Sequence, residues 1–437
     1  MADFLYFDET HFGPSSEALS AAINTLEAEA IFHGREQTVF LRIGRHEGKI
    51  YIDLDDDAWR AIEVDADGWR VVNMPPVYFQ RPKGARALPV PVPGGSLADL
   101  LPFLNIRSSW TEADEDRGSF PAALVQKDLV LTVAFLLGAL CPEGPYAILA
   151  LSGEQGTAKS MFSRLIRALL DPNISPIRAL PENERDLAIT ADNSYCLPFD
   201  NLSGFAPKIA DALCRLSTGG GFSVRQHYEN REEELFYGVR PIILNGIADL
   251  VTRADLADRS LFLTLQPIEA ADRKRETTLI AAFEHESGKI LGALLDGVSC
   301  GLRRFHEVQL EELPRMADFA HWVTACETAF WPEGTFMNAY FQNRAEADEK
   351  VLEADAVGVA IMKLIAEKME KLKPLEHPSP WDQLKPKREP IPPKWTCTAE
   401  ELLTALGYHV SEDTRRGKWR PQSSQGLGMR LRGRASA

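Results

Sequence analysis

The sequence lacks paired cysteines: its six, at positions 141, 196, 214, 300, 326 and 397, include no CxxC. Zinc sites need closely spaced ligands, so the spacing argues against one and for reduced thiols in a cytosolic core. It lacks an apolar run of about 18 residues, the least that crosses a bilayer as a helix; residues 129–140 come nearest and fall short. It lacks a basic start: residues 1–10 carry acids where a secretory signal carries cations, so a cytoplasmic location with no membrane partner is expected. It lacks positive charge overall, with a formal net charge of −15. Proteins that coat nucleic acid without selectivity are ordinarily basic, which disfavours that class. A ring with a small basic channel is not excluded, because the local field matters more than the sum. There is no internal repeat and no low-complexity tract.

What is present suits a globular protein: 437 residues, 45% hydrophobic and 25% charged, enough for two to four domains. Residues 1–105 read as a β-rich module behind one helix at 15–32, with strand-like runs at 38–43, 49–54, 58–64 and 69–72. The acidic run Asp53-Leu54-Asp55-Asp56-Asp57 has the look of a metal cluster, but aspartate is a turn former and a solvated hairpin turn is expected. The proline-rich stretch at 88–95 marks a boundary. Residues 106–272 read as a nucleotide-binding α/β core with preceding helices, 273–375 as helical, 376–394 as a Pro/Lys linker and 395–437 as a small C-terminal module. The C-terminal module carries Arg415, Arg416, Lys418, Arg420, Arg430, Arg432 and Arg434; a truncated winged helix touching phosphates and a flexible basic tail both fit it.

The strongest motif is Gly153-Glu154-Gln155-Gly156-Thr157-Ala158-Lys159-Ser160, preceded by the apolar strand 146–151 and followed by a helix at 161–170. It matches G-x-x-x-x-G-K-[ST], except that Ala158 replaces the last glycine. Glycines let the backbone wrap so that its N–H groups face phosphate, and the helix N-terminus adds partial positive charge. Lys159 would reach the β- and γ-phosphates of ATP, and Ser160 would offer its hydroxyl to Mg²⁺. At a helix start Ala158 is expected in right-handed helical space, where a methyl group is tolerated. A strand ending at Asp200 then supplies the acid for the Mg²⁺ shell, expected on a strand neighbouring the loop's own. Asn201 follows it and cannot usefully accept a proton, so the catalytic base stays open among Asp192, Glu182 and Glu184. Further along come Gly219-Gly220-Gly221 before an alternating run with Arg225 and His227, a buried strand ending at Asn245, and Arg259 just before another strand.

In that order and spacing, residues 125–270 resemble the AAA+-like P-loop core of superfamily 3 helicases and the phage or prophage primase-helicase proteins related to them. The resemblance implies that Asn245 senses the γ-phosphate or places water. It implies that Arg259 reaches the neighbouring subunit's nucleotide as a finger, in a homo-oligomer that is commonly a hexamer. It also implies that Arg225 and His227 track single-stranded DNA along a channel. Plainer readings stand beside these: an ion pair of Arg259 with Asp255 or Asp258, a strand-end cap for Asn245, and a solvated hairpin for Arg225 and His227. The function implied is an ATP-hydrolysing ring motor on nucleic acid, a helicase in phage or mobile-element DNA replication. The alternatives are a nucleotide-dependent switch or assembly ATPase without unwinding, and a small-molecule kinase, which residues beyond Asn245 fit poorly.

Overall fold

The computed structural model describes residues 2–106, 126–204, 206–220, 222–225, 233–236, 238–246, 253–354, 356–370 and 396–409, with positions 423, 425 and 427. The Pro/Lys stretch 376–394, the basic residues 415–434 and His227 lie outside the described residues. Two helices open the chain, α1 (Ala2–Thr10) and α2 (Ser16–His33), and Ser15 caps α2 by accepting from the Ala18 N–H. Then come β1 (Val39–Phe40), β2 (Ile43–His46), β3 (Lys49–Asp53), β4 (Ala61–Asp65), β5 (Gly68–Val72) and β6 (Tyr78–Phe79). Strands β2 to β5 form an antiparallel meander, and β1 pairs with β6 in parallel. In the meander Ile50 faces Val64 and Ile52 faces Ile62, all fully buried, while the alternate pair Tyr51 and Glu63 turns the other way. That is the period-2 alternation of a sheet with one face on a core.

Residues 127–264 alternate helix and parallel strand, interrupted by one antiparallel pair. They run α3 (Lys127–Ala139), β7 (Ile148–Ser152), α4 (Lys159–Leu170), α5 (Glu184–Asp192), β8 (Leu197–Leu202), α6 (Pro207–Thr218), the hairpin β9 (Phe222–Arg225) and β10 (Glu233–Phe236), β11 (Ile242–Gly246), α7 (Ala254–Ala257) and β12 (Ser260–Thr264). Among the described residues the chain continues with the α-helices α8 (Glu276–Arg304), α9 (Ala317–Glu327), α10 (Thr335–Ala354), α11 (Ala356–Glu370) and α12 (Ala399–Tyr408). The parallel sheet has the order β12-β7-β11-β8. Asp200's strand β8 is therefore not adjacent to β7, as the sequence reading expected; β11, carrying Asn245, lies between them. Parallel strands need crossovers, so consecutive strands are free to leave a gap that a later strand fills.

Both faces of this sheet are covered. Leu149 and Leu151 of β7 join the core that includes α3, α4, α8 and α9, while Ile148 and Ala150 join a second core with α6, Ile242 and Leu244. The apolar run at 129–140 is explained by α3, in which eleven of thirteen residues are buried: it is a core helix. Among the described residues no helix is long and apolar enough to cross a membrane. The first core also contains Ile43, Ile50, Ile62 and Val64, so the meander and the parallel sheet share one apolar interior. The proline-rich stretch is packed rather than free. Val92 N–H donates to Gly288 O of α8, and at Gly292 a Cβ would sit 2.0 Å from Val92 O, so only glycine admits the strap there. The open edge of β12 is closed by Asn343 of α10, which accepts from Phe262 N–H and donates to Phe262 O, mimicking a strand partner.

Candidate nucleotide site

Residues 153–158 leave the C-terminal end of β7 and turn into α4. Gly153 has φ +148°, and a Cβ there would lie 2.6 Å from Leu265 O, so neither the dihedral nor the space admits another residue. Thr157 is fully buried and its hydroxyl donates to Glu154 O, closing the loop on itself. Lys159 Nζ donates to Gly153 O at 2.7 Å, Glu154 O at 2.8 Å and Thr157 Oγ1 at 3.2 Å, so the loop curls round its own ammonium. Burial holds that ammonium below its ordinary pKa, partly offset by the charge of Asp200. Glu154, Gln155 and Gly156 are exposed at the loop's crown.

Ala158 is not in right-handed helical space, as its sequence position suggested. It sits at φ +57°, ψ +30°, the left-handed region, and is the N-cap of α4 without a side-chain cap. A Cβ in that region costs about 1–2 kcal/mol, which the consensus glycine avoids. The loop's geometry is thus kept and the alanine carries strain.

Asp200 is brought to the loop by a bulge. Between Phe199, opposite Leu244, and Leu202, opposite Gly246, β8 has one residue more than β11. Asn201 takes up the extra residue at φ +57°, which asparagine tolerates better than most side chains. The kink leaves Asp200 Oδ2 accepting from Ser160 Oγ at 2.7 Å, while Oδ1 accepts from Asn245 Nδ2 at 3.1 Å and from the Asn201 N–H at 2.9 Å. Asn245 is fully buried, and its own oxygen accepts from Ser163 Oγ of α4 at 2.8 Å. A chain of polar groups, Ser160–Asp200–Asn245–Ser163, therefore runs from the first turn of α4 across the ends of β8 and β11 and back to α4. Ser160 and Asp200 are hard oxygen donors side by side, the donor type that Mg²⁺ takes. Among the described residues no group of three or more His, Cys, Asp or Glu gathers to hold a metal, which a cation completed by phosphate and water does not need.

The other residues singled out in sequence lie elsewhere. Glu184 pairs with Arg215 at 3.1 Å, near the end of α6 where Ser217 O meets Tyr146 N–H, so it is on the edge of the sheet where β7 begins. Arg259 is on that same far edge: its neighbour Ser260 aligns with Ile148, the first residue of β7. A five-residue strand spans about 16 Å, so Arg259 does not reach its own chain's loop. Its Nη1 donates to Asp255 O at 2.6 Å, and its Nε is buried with no partner among the described residues. The ion pairs of Asp258 go instead to Arg315 and Arg344. Arg225 ends β9 in an antiparallel hairpin, opposite Glu233.

Residues 121–349, over half of the sequence, match the family of actinomycete integrative conjugative element replication proteins. The chain belongs to this family. No curated protein matches the sequence. Among solved structures, the SCCmec type IV Cch helicase is 13% identical with a TM-score of 0.45, over 85% of this chain and 71% of that one. The C-terminal region of NrS-1 is 12% identical with a TM-score of 0.34, over 67% and 59%. The JCV helicase is 12% identical with a TM-score of 0.25, over 50% and 65%. These likenesses are too loose to carry fold or function to this replication-family chain.

Two features of the site were not legible in sequence: the bulge at Asn201, and Asn105, whose Nδ2 donates to Thr157 O at 3.0 Å and Gln266 O at 2.6 Å. The only signal for the first was an asparagine where a carboxylate was expected; the second had none.

Proposed function

We propose that this replication protein is an ATP-driven ring motor on single-stranded DNA, a helicase-type enzyme of a mobile element. One observation carries the reading: Ser160 and the strand-borne Asp200 meet at 2.7 Å, beside a lysine hydrogen-bonded within a glycine loop at a helix N-terminus. On this reading residues 153–160 cradle the phosphates of ATP, and Lys159 moves from the loop carbonyls to phosphate oxygens. Ser160 and Asp200 hold Mg²⁺, which would neutralise charge on the β- and γ-phosphates. Asn245 orients Asp200 rather than meeting nucleotide alone. Arg259, too far from its own loop, acts on the nucleotide of an adjacent subunit, which requires a homo-oligomer, taken as a hexamer. Arg225, at the end of β9, and His227 are the residues taken to contact DNA.

The test is ATP turnover with and without single-stranded DNA, for wild type, Lys159→Ala and Arg259→Ala. Stimulation by DNA, loss in each variant and recovery on mixing the two variants are expected. Turnover indifferent to DNA across a salt series would sink the motor reading. A second reading, a nucleotide-dependent switch that assembles without unwinding, is favoured by one observation: Asn201 supplies a backbone bend where a general base would stand. It expects tight ATP binding, slow turnover and an oligomer that changes size with ATP.

A further inference from the structure

Asn105 ends the N-terminal module, one residue after the buried Leu104, yet its amide is spent on the loop at 153–160. Both partners are carbonyl oxygens, Thr157 O and Gln266 O, so the NH₂ must face them; the flipped amide would set Oδ1 against two acceptors. Gln266 lies just beyond β12, and Leu265 O is the atom that crowds Gly153. The amide therefore ties the loop to the end of the edge strand beside it.

The consequence follows from peptide planarity. Thr157 C=O and Ala158 N–H share one trans peptide unit and point in opposite directions. Fixing the Thr157 oxygen fixes the direction of the Ala158 N–H, on the side away from Asn105. Ala158 is also the strained residue at φ +57°, so its local preference does not hold that peptide in place. An external restraint is needed, and the amide of Asn105 supplies one.

We infer that Asn105 is a positioning residue for nucleotide: it presets the Thr157–Ala158 peptide so that the Ala158 N–H faces a phosphate oxygen, linking the N-terminal module to phosphate binding. This rests on the nucleotide reading above and deepens it. Asn105 touches no substrate; it acts through the backbone of the loop.

The test is thermal unfolding of the full chain titrated with ADP and Mg²⁺, for wild type, Asn105→Ala and the near-isosteric Asn105→Leu, which keeps the side-chain volume and removes both N–H donors without adding a charge. Ligand stabilisation reports Kd separately from the stability of the ligand-free chain. The expected result is an ADP Kd about tenfold weaker in both variants, the loss of one oriented donor to a charged group, with ligand-free midpoints near that of wild type. If wild type binds ADP and both variants bind within twofold of it, the inference falls and the nucleotide reading stands. A lowered ligand-free midpoint with unchanged ADP affinity also overturns it, since Asn105 would then be only a structural tie. If wild type itself shows no ADP stabilisation, the nucleotide reading falls and takes the inference with it.

Discussion

In the N-terminal meander, Asp53 meets Arg81 at 2.6 Å, Asp55 meets Arg81 at 3.2 Å, and Asp56 meets Arg60 at 2.5 Å. Buried Arg42 bonds Asp53 O and Asp171 at 3.1 and 3.2 Å, joining that sheet to the end of α4. At the end of β8, Asp200 meets only neutral donors: a hydroxyl, a carboxamide and a backbone N–H. Both clusters are carboxylates held by geometry, but in the first each charge has a fixed counter-charge. In the second the described residues supply none by ion pairing, and the nearby ammonium of Lys159 is turned to carbonyls. A carboxylate with a fixed arginine is already neutralised and serves as a joint; one oriented by neutral groups still has an unanswered charge to offer a cation. The comparison separates a structural acid cluster from a candidate metal-binding one without reference to sequence motifs.

The sharpest way to break this comparison is Asp200→Asn. The amide can keep its oxygen on the Asn245 and Asn201 donors and turn its NH₂ to the Ser160 hydroxyl oxygen, but it loses the charge, so Mg²⁺-dependent ATP turnover should fall at least about a hundredfold, with the unfolding midpoint nearly unchanged. A midpoint that falls with the activity would mean that Asp200 is as structural as the N-terminal acids. Removing Mg²⁺ with chelator should bring wild type down to the level of the variant and leave the variant where it is.

Next in size is Arg42→Ala. It leaves Asp171, 6% exposed, and Asp55 short of a cation they were buried with. Breaking a buried pair costs about 3–5 kcal/mol; here Arg167 and the N–H groups of Tyr195 and Cys196 still bond Asp171, so about 3 kcal/mol is expected. The urea midpoint should drop accordingly, while ADP affinity of the folded chain stays within about twofold of wild type. Weakened ADP binding would show that the two clusters are coupled.

Acid should separate them too. At Glu63 burial pushes the carboxyl up, but hydrogen bonds from Lys49 and Tyr51 and the charges of Arg70 and Lys49 outweigh it, leaving it below its ordinary value. Asp56 is lowered in the same way by the N–H, guanidinium and charge of Arg60, and Asp65 by the Asp67 N–H and then by Lys49. A depressed carboxylate adds stability that is complete above the unfolded value, about 4, and is lost as pH falls through the lower folded value. The meander should therefore loosen below about pH 4, read by the fluorescence of Trp59 and Trp69. A transition beginning above pH 5 would contradict this assignment.

How much of this was legible in sequence follows from range. The loop, its flanking strand and α4 are set by residues within about twenty positions, and glycine at 153 announces a dihedral that only glycine holds. The order β12-β7-β11-β8, which inserts Asn245 beside Asp200, is set by packing of segments a hundred residues apart, and no local pattern encodes it. The aspartates at 53–57 read as a turn because aspartate favours turns; their partners Arg42, Arg60 and Arg81 come from three separate places in the chain. Asn105 bonds carbonyls 52 and 161 residues away, and backbone acceptors leave no trace in residue type.

The smallest expected effect is at Ala158→Gly, which probes the strained link between loop and helix. Glycine removes the Cβ penalty of the left-handed region, worth about 1–2 kcal/mol, but returns some of it by enlarging the freedom of the unfolded chain, about 0.4–1 kcal/mol. The net gain should lie between about 0 and 1.6 kcal/mol, a rise in midpoint of a few degrees at most. A separate consequence distinguishes strain from function. If the alanine's strain is held only by Asn105 and the bonds of the loop, Ala158→Gly should lessen the damage of Asn105→Ala, because a glycine peptide reaches the required orientation without restraint. The double variant should then bind ADP more tightly than Asn105→Ala alone, by about threefold or more given the 1 kcal/mol scale of that strain. Strict additivity of the two changes would show that the loop holds its left-handed turn without help from the N-terminal module, and that the two halves of the molecule share a core but not a site.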